Sequence, residues 1–449
     1  IFCRYYFLDI KQYSNRKPIT INGNRYEYLR ENQQNLQGVW ETMLKYFRIH
    51  KRIFWDFSYS FVAYALPTIV LQFVIQPLIA GRTSAEENGL FVAIFNVIKL
   101  MVSVFISPLA NLRLLKKQEC EKNGFINSFF NHLFLIAVFC SILLGSMLNE
   151  LYRDFVFRIS DTVLLSSILI LMSIHDYFMV EFRLILNYRK IVVDNCLIIL
   201  GYGIGILLFI KTGIWELIFV FGYLLGSIYV LLNTNLWKSI PRKKSVGITK
   251  QYVELSASNM LGLTSVYCDR LIIYPVLGGF EVSVYNAAAV VSKAISVVGV
   301  PLKNVLLSYI VNHNGLVISK KSLKKFVPIS IFAVMIVFAI ILGISVMACR
   351  LLYPQYATVA LPFIPIITIA VMVQTFAEIL NIVLLRFTAT KLQTIISSIK
   401  LSVYLIAAFI LAIVADAGLM GFCFAILLAD ISCATAVLIS LKKNISFIA

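Results

Sequence analysis

Charge is what this sequence has least of. Asp, Glu, Lys and Arg make up 14% of its 449 residues, hydrophobic residues make up 60%, and mean hydropathy is +0.86. A soluble domain carries about 25% charged and ~45–50% apolar residues, so a water-soluble globular enzyme is excluded. Paired cysteines are also missing. The thiols at 3, 120, 140, 196, 268, 349, 423 and 433 form no CxxC and mostly sit in apolar runs, as small hydrophobes do. The histidines at 50, 132, 175 and 313 have no metal-ligand spacing, so no zinc or haem site is expected. No polar segment holds a nucleophile–base constellation or a Gly-rich phosphate loop, and those between apolar blocks are too short to fold a catalytic domain. Neither an enzyme nor a cofactor is expected. A basic-then-apolar run ending at a small-residue cleavage site is lacking too, so no signal peptide is expected.

What is present is apolar sequence in long blocks. Crossing a ~30 Å hydrocarbon core takes about 20 helical residues. Twelve blocks meet that requirement, near 55–80, 88–110, 125–148, 161–182, 191–210, 213–233, 253–276, 282–307, 326–348, 359–385, 392–413 and 417–440. The expected fold is therefore an all-α integral membrane protein with twelve transmembrane helices. The net charge of +18 suggests nucleic acid until the charges are located. With the N-terminus inside, the cytoplasmic segments hold thirty Lys and Arg, whereas the external loops hold only Arg82, Arg153, Arg158, Lys211 and Arg350. That alternation is a positive-inside pattern. It places both termini in the cytoplasm and leaves no nucleic-acid partner. Residues 1–54 form a basic, Tyr-rich cytoplasmic tail suited to lying against anionic lipid.

The second and eighth blocks match at an offset of 193, Pro108-Leu109-Ala110-Asn111 falling on Pro301-Leu302-Lys303-Asn304. Both blocks follow a turn containing glycine, at Gly81 and at Gly278-Gly279, and both enter through an asparagine, Asn88 or Asn286. The repeat implies two six-helix bundles, 55–233 and 253–440, joined by a basic linker at 234–252 and followed by a cytoplasmic tail at 441–449. Six spans per half gives both halves the same topology, related by an axis along the membrane normal, with a central cavity between them.

Ionisable groups inside these blocks cost at least ~2.5–3.5 kcal/mol at the bilayer centre, so they face a cavity or a partner. Asn96, Lys99, Ser103, Ser107 and Asn111 recur at helical spacing and keep one polar face along the second block. Asn286, Lys293, Ser296 and Lys303 repeat the design in the eighth, and the seventh carries Glu254, Ser258, Ser265 and Asp269 with Arg270 beside it. One reading is a water-filled cavity walled by Lys99, Lys293, Arg270 and Lys303. The other is that each cation pairs with a carboxylate to hold the bundle, with Asp269-Arg270 capping the seventh helix. Glu378 and the His175–Asp176 pair are the candidates for exchanging H⁺ or Na⁺. Pro108 and Pro301 either hinge their helices or mark where these leave the membrane.

Twelve spans in two repeated halves, with Leu71-Gln72-Phe73, Glu87-Asn88-Gly89-Leu90-Phe91, Cys268-Asp269-Arg270-Leu271-Ile272-Ile273 and Val284-Tyr285-Asn286-Ala287-Ala288 in order, resemble the bacterial polysaccharide-repeat (O-antigen type) flippases. Their superfamily also holds the multidrug and toxic-compound extrusion transporters and the lipid II flippase. The resemblance covers about 55–440. It implies an extrusion-transporter-like fold in a bacterial inner membrane and an undecaprenyl-diphosphate-linked oligosaccharide as substrate, with a polysaccharide polymerase and glycosyltransferases as partners. It also implies a cationic lumen, in which Lys99, Lys293 and Arg270 would bind substrate, joined by Lys303, Asn96, Asn286 and Asp269. An ion-coupled multidrug extruder on the same fold is the alternative.

Overall fold

Backbone groups in hydrocarbon must be satisfied within their own segment, which leaves a polytopic chain little choice but helix. The computed structural model describes residues 62, 65–116, 124–153, 159–185, 187–235, 246–293, 338–387 and 390–445, and all regular structure among them is helical. The tail 1–54, most of the linker, and Pro301 and Lys303 lie outside the described residues. The described residues fall in one compact unit, Ser58–Ala449.

Helical segments occur in the described part of each of the twelve expected spans; most of the start of the first, the end of the eighth and the start of the ninth lie outside the described residues. The segments are α1 (Ala65–Ala80), α2 (Ala85–Leu115), α3 (Gly124–Tyr152), α4 (Ile159–Leu184, with a one-residue break at Met179), α5 (Tyr188–Thr212) and α6 (Glu216–Asn233). They continue with α7 (Val246–Leu277), α8 (279–293), α9 (Phe338–Leu352), α10 (Pro354–Phe387), α11 (Thr390–Val414) and α12 (Gly418–Ile445). Eight are long and apolar enough to cross a membrane unaided, and α7 adds a ninth as a pair of helices bent by 60° between Leu263 and Tyr267. In α10, Pro362 falls in a 3₁₀ turn and Pro365 in the first turn of the next helix, where a missing N–H leaves nothing unpaired.

The second span is the central helix. Of the most apolar stretch of α2, 78% is buried, against 28–56% in the other long spans. It packs on α3, α4 and α7; Phe91 and Phe95 pack against Phe219 of α6, and Phe91 meets Trp215, just before α6, edge-on. A Ser84–Glu87 capping box starts it: the Glu87 N–H donates to Ser84 Oγ (3.2 Å) and the Ser84 N–H to Glu87 Oε2 (3.1 Å). Pro108 lies inside α2, which runs on to Leu115, so it does not mark the helix end. Arg113, expected among the loop charges, is instead 1% exposed. It donates to the Tyr177 hydroxyl of α4 at 2.6 Å and stacks over Phe130 and Tyr177, tying α2, α3 and α4 together.

The first turns of α2 and α8 lie against each other. Glu86 and Gly279 are equivalent under the 193-residue offset, and they touch: the Gly279 N–H donates to Glu86 Oε2 at 2.8 Å. Asn88 Nδ2 donates to Ser283 Oγ (2.9 Å), and that hydroxyl donates to the Ala85 carbonyl (2.7 Å). The backbones approach so closely that a Cβ at Gly89 would lie 2.0 Å from the Gly279 carbonyl oxygen. Only glycine permits this contact.

Candidate functional site

Helices α1, α2, α7, α8 and α10 border a cavity of about 210 Å³ lined by Gln72, Gln76, Phe95, Asn96, Lys99, Tyr267, Arg270, Lys293 and Gln374, with Val290 and Val371. That is many times the ~10–15 Å³ one water requires. Among the described residues three cationic groups line it and no carboxylate does. Helix geometry explains the convergence: Asn96 and Lys99 sit one turn apart on α2, Gln72 and Gln76 share a face of α1 across a π-helical turn at Leu71–Ile75, and Arg270 follows the bend in α7.

The three cations are held differently. The Lys99 ammonium stands 4.6 Å from the Phe95 ring and has no carboxylate partner among the described residues. Arg270 Nη2 donates to Asn286 Oδ1 at 3.1 Å, the Tyr285 ring lies beside the guanidinium, and its buried Nε faces no acceptor. Lys293 is ion-paired with Asp269. Asp269, 5% exposed, also accepts from the Tyr285 hydroxyl (2.5 Å) and from the Arg270 N–H (2.8 Å). Of the two sequence readings, cavity wall and bundle-holding pair, Lys99 fits the first and Lys293 fits both. The Oε1 atoms of Gln72 and Gln76 are buried without hydrogen-bond partners, which leaves polar capacity for a ligand or water.

Behind Lys293 a tighter pocket contains Asp269, Tyr285, Gln374, Lys400, Tyr404 and Asp430, and Lys400 pairs with the 1% exposed Asp430 at 2.6 Å. Glu378 lies outside the cavity lining and accepts from Gln374 Nε2 at 2.9 Å. A third cavity, of about 270 Å³, lies within the N-terminal half and is bordered by Ser107, Asn111, His175, Asp176, Arg183, Asn195, Tyr202 and Tyr223. There His175 bonds Asp176 through Nδ1 (2.8 Å) and Asp194 through Nε2 (2.6 Å). The polar stripe of α2 is therefore shared between two cavities: Asn96 and Lys99 face one, Ser107 and Asn111 the other. No cluster of three or more metal-ligating side chains occurs among the described residues.

Solved structures share this arrangement of helices. An inward-facing multidrug resistance MATE family transporter of the MOP superfamily aligns with a TM-score of 0.62 at 12% identity, covering 86% of this chain and 95% of that one. The lipid II flippase MurJ, in an inward closed conformation, gives 0.53 at 16% identity, covering 86% of each chain. The chain has the MATE/MurJ fold. The eukaryotic MATE transporter AtDTX14 gives 0.53 at 13% identity over 87% of this chain and 96% of that one. No protein-family model matches the sequence, and no characterised protein matches it by sequence.

Within the MATE/MurJ fold, the sequence-derived residues Asn96, Lys99, Arg270 and Lys293 come together in one cavity. Asn286 and Asp269 support it as partners of Arg270 and Lys293. His175 and Asp176 belong to a separate site, where they are joined by Asp194. Gln72, Gln76, Tyr267 and Gln374 were not singled out from the sequence, because uncharged polar residues give no strong signal in an apolar run.

Proposed function

We propose that the protein carries an undecaprenyl-diphosphate-linked oligosaccharide across a bacterial plasma membrane, from the cytoplasmic to the outer leaflet, for surface polysaccharide assembly. The observation that supports this reading is the lining of the central cavity, with three cations and no carboxylate among the described residues. A diphosphate enters hydrocarbon only if its hydration is replaced. Ammonium and guanidinium groups supply that replacement through charge-assisted hydrogen bonds. The cavity is smaller than the ~300–1,000 Å³ sites that enclose drug-sized ligands, so it suits a compact anionic headgroup while the sugars occupy water and the lipid tail stays in the bilayer. A cationic drug, the cargo of the alternative multidrug reading, would meet like charge here.

In this reading Lys99, Lys293 and Arg270 hold the diphosphate, Asn286 positions Arg270, Asp269 keeps Lys293 aimed, and Lys303, outside the described residues, adds charge. The halves 55–233 and 253–440 alternate about the contact between α2 and α8, with Pro108 and Pro301 as bending points. The positive-inside pattern places the zipped α2–α8 end outside, so the structure is closed outward. A polysaccharide polymerase and glycosyltransferases act before and after it.

Deletion of the gene in its native host, followed by lipid extraction, tests this. Lipid-linked repeat units are expected to accumulate while surface polymer is lost. Complementation with Lys99→Ala/Lys293→Ala is expected to fail, because two lost charge-assisted contacts of about 1.5 kcal/mol each weaken headgroup binding about 100-fold. Normal surface polymer with newly gained sensitivity to cationic drugs would instead select the extrusion reading.

A further inference from the structure

The buried carboxylates among the described residues are neutralised in two ways. Asp269 has the Lys293 ammonium, Asp430 has the Lys400 ammonium and Glu216 has the Arg153 guanidinium. In the N-terminal half two carboxylates, Asp176 and Asp194, flank one imidazole. His175 Nδ1 lies 2.8 Å from Asp176 Oδ1 and Nε2 lies 2.6 Å from Asp194 Oδ2. Each contact is a hydrogen bond only if a proton lies between the two atoms. A neutral imidazole carries one N–H and an ionised carboxylate carries none, so two bonds require two protons among the three groups. Without the second proton, a nitrogen lone pair would face a carboxylate oxygen at hydrogen-bond distance, and one of the contacts would open.

From this we infer that His175, Asp176 and Asp194 form a proton-binding site whose occupancy latches α4 to α5. The burial is graded as a path from water would be: the Asp176 side chain is 31% exposed in the cavity, His175 5% and Asp194 0%. The second oxygen of Asp194 faces no donor, so the inner carboxylate depends on the shared proton for compensation. The groups that face the imidazole from neighbouring helices are Tyr223 of α6, edge-on at 5.7 Å, and Tyr202 of α5, packed against Tyr223. Arg183 at the end of α4 is the other ionisable group on the cavity wall, and Asn111 and Ser107 of α2 complete its polar rim. Both contacts run from a ring nitrogen to a carboxylate oxygen at hydrogen-bond distance, which a shared proton bridges and Na⁺ does not, so the ligand is a proton. The inference is independent of the cargo in the central cavity.

The test uses the full chain in nanodiscs with His50, His132 and His313 replaced by Gln, so that ¹⁵N-labelled histidine reports residue 175 alone. Near neutral pH either the ring is doubly protonated or an infrared carboxylic-acid band appears that Asp194→Asn removes. Raising the pH takes that proton away and, after correction for base catalysis, speeds amide exchange at least about tenfold in both 171–179 and 191–198. His175→Gln removes the pH step, and if that variant does not fold, the titration of the single-histidine chain decides alone. A neutral ring between two ionised carboxylates at neutral pH would overturn the inference. So would proton loss that leaves exchange in both segments unchanged, or displacement of the proton by added Na⁺.

Discussion

Lys293→Met should destabilise the protein by about 3–5 kcal/mol, whereas Lys99→Met should leave stability unchanged or raise it slightly. Both ammonium groups line one cavity, but only Lys293 neutralises a buried carboxylate. Removing one member of a buried pair strands the other charge away from water, and the cost is of that order. Lys99 stands over the Phe95 ring with no carboxylate partner among the described residues, so methionine there relieves desolvation and keeps the packing of the aliphatic stem. Asp269→Asn added to Lys293→Met should recover most of the loss, since the amide oxygen can accept from the Arg270 N–H while the amide NH2 donates to the Tyr285 hydroxyl oxygen. Thermal unfolding in detergent of the three variants checks this, and equal destabilisation by the two lysine changes would show that both are structural. Surface polymer should fall with either change, which separates binding from stability.

Gly89→Leu should abolish transport without unfolding the chain. A side chain there meets the Gly279 carbonyl at 2.0 Å from its first carbon, and a backbone atom cannot rotate aside. The first turns of α2 and α8 must then separate, losing the Gly279–Glu86 and Asn88–Ser283 hydrogen bonds. At roughly 0.5–1.5 kcal/mol each, those bonds are enough to shift a two-state equilibrium about tenfold away from the outward-closed state. Surface polymer should fall at least about tenfold at normal protein level, and Ser283→Cys in the Gly89→Leu background should react with a membrane-impermeant thiol reagent from outside. Full activity with Gly89→Leu would mean that the helix ends never close in the working cycle.

The spans were legible because burial in lipid is written along one dimension, as runs of apolar residues. The polar stripe of α2 was legible for the same reason, since Asn96 and Lys99 share a face by spacing alone. Pairings between helices were not. The sequence placed Asp269 and Lys293 in neighbouring spans, but their ion pair depends on how α7 bends and where α8 lies. Asp194 stood in the fifth span as an isolated acid, and only packing brings it to His175. The Glu86–Gly279 contact was implicit in the 193-residue offset, yet an offset says which positions are equivalent and not that they touch. Gln72 lay within a motif read for its resemblance, and its role in the cavity emerged only with the π-helical turn of α1.

The central claim is that the cavity holding Lys99, Arg270 and Lys293 accepts a lipid diphosphate. Its most direct test is binding of a fluorescent polyprenyl diphosphate to the purified protein in nanodiscs, measured beside a lipophilic cation such as tetraphenylphosphonium. Saturable binding of the diphosphate, weakened about 100-fold by Lys99→Ala/Lys293→Ala, with no saturable binding of the cation, is the expected result. Binding of the cation, unaffected by diphosphate and by loss of the lysines, would contradict it.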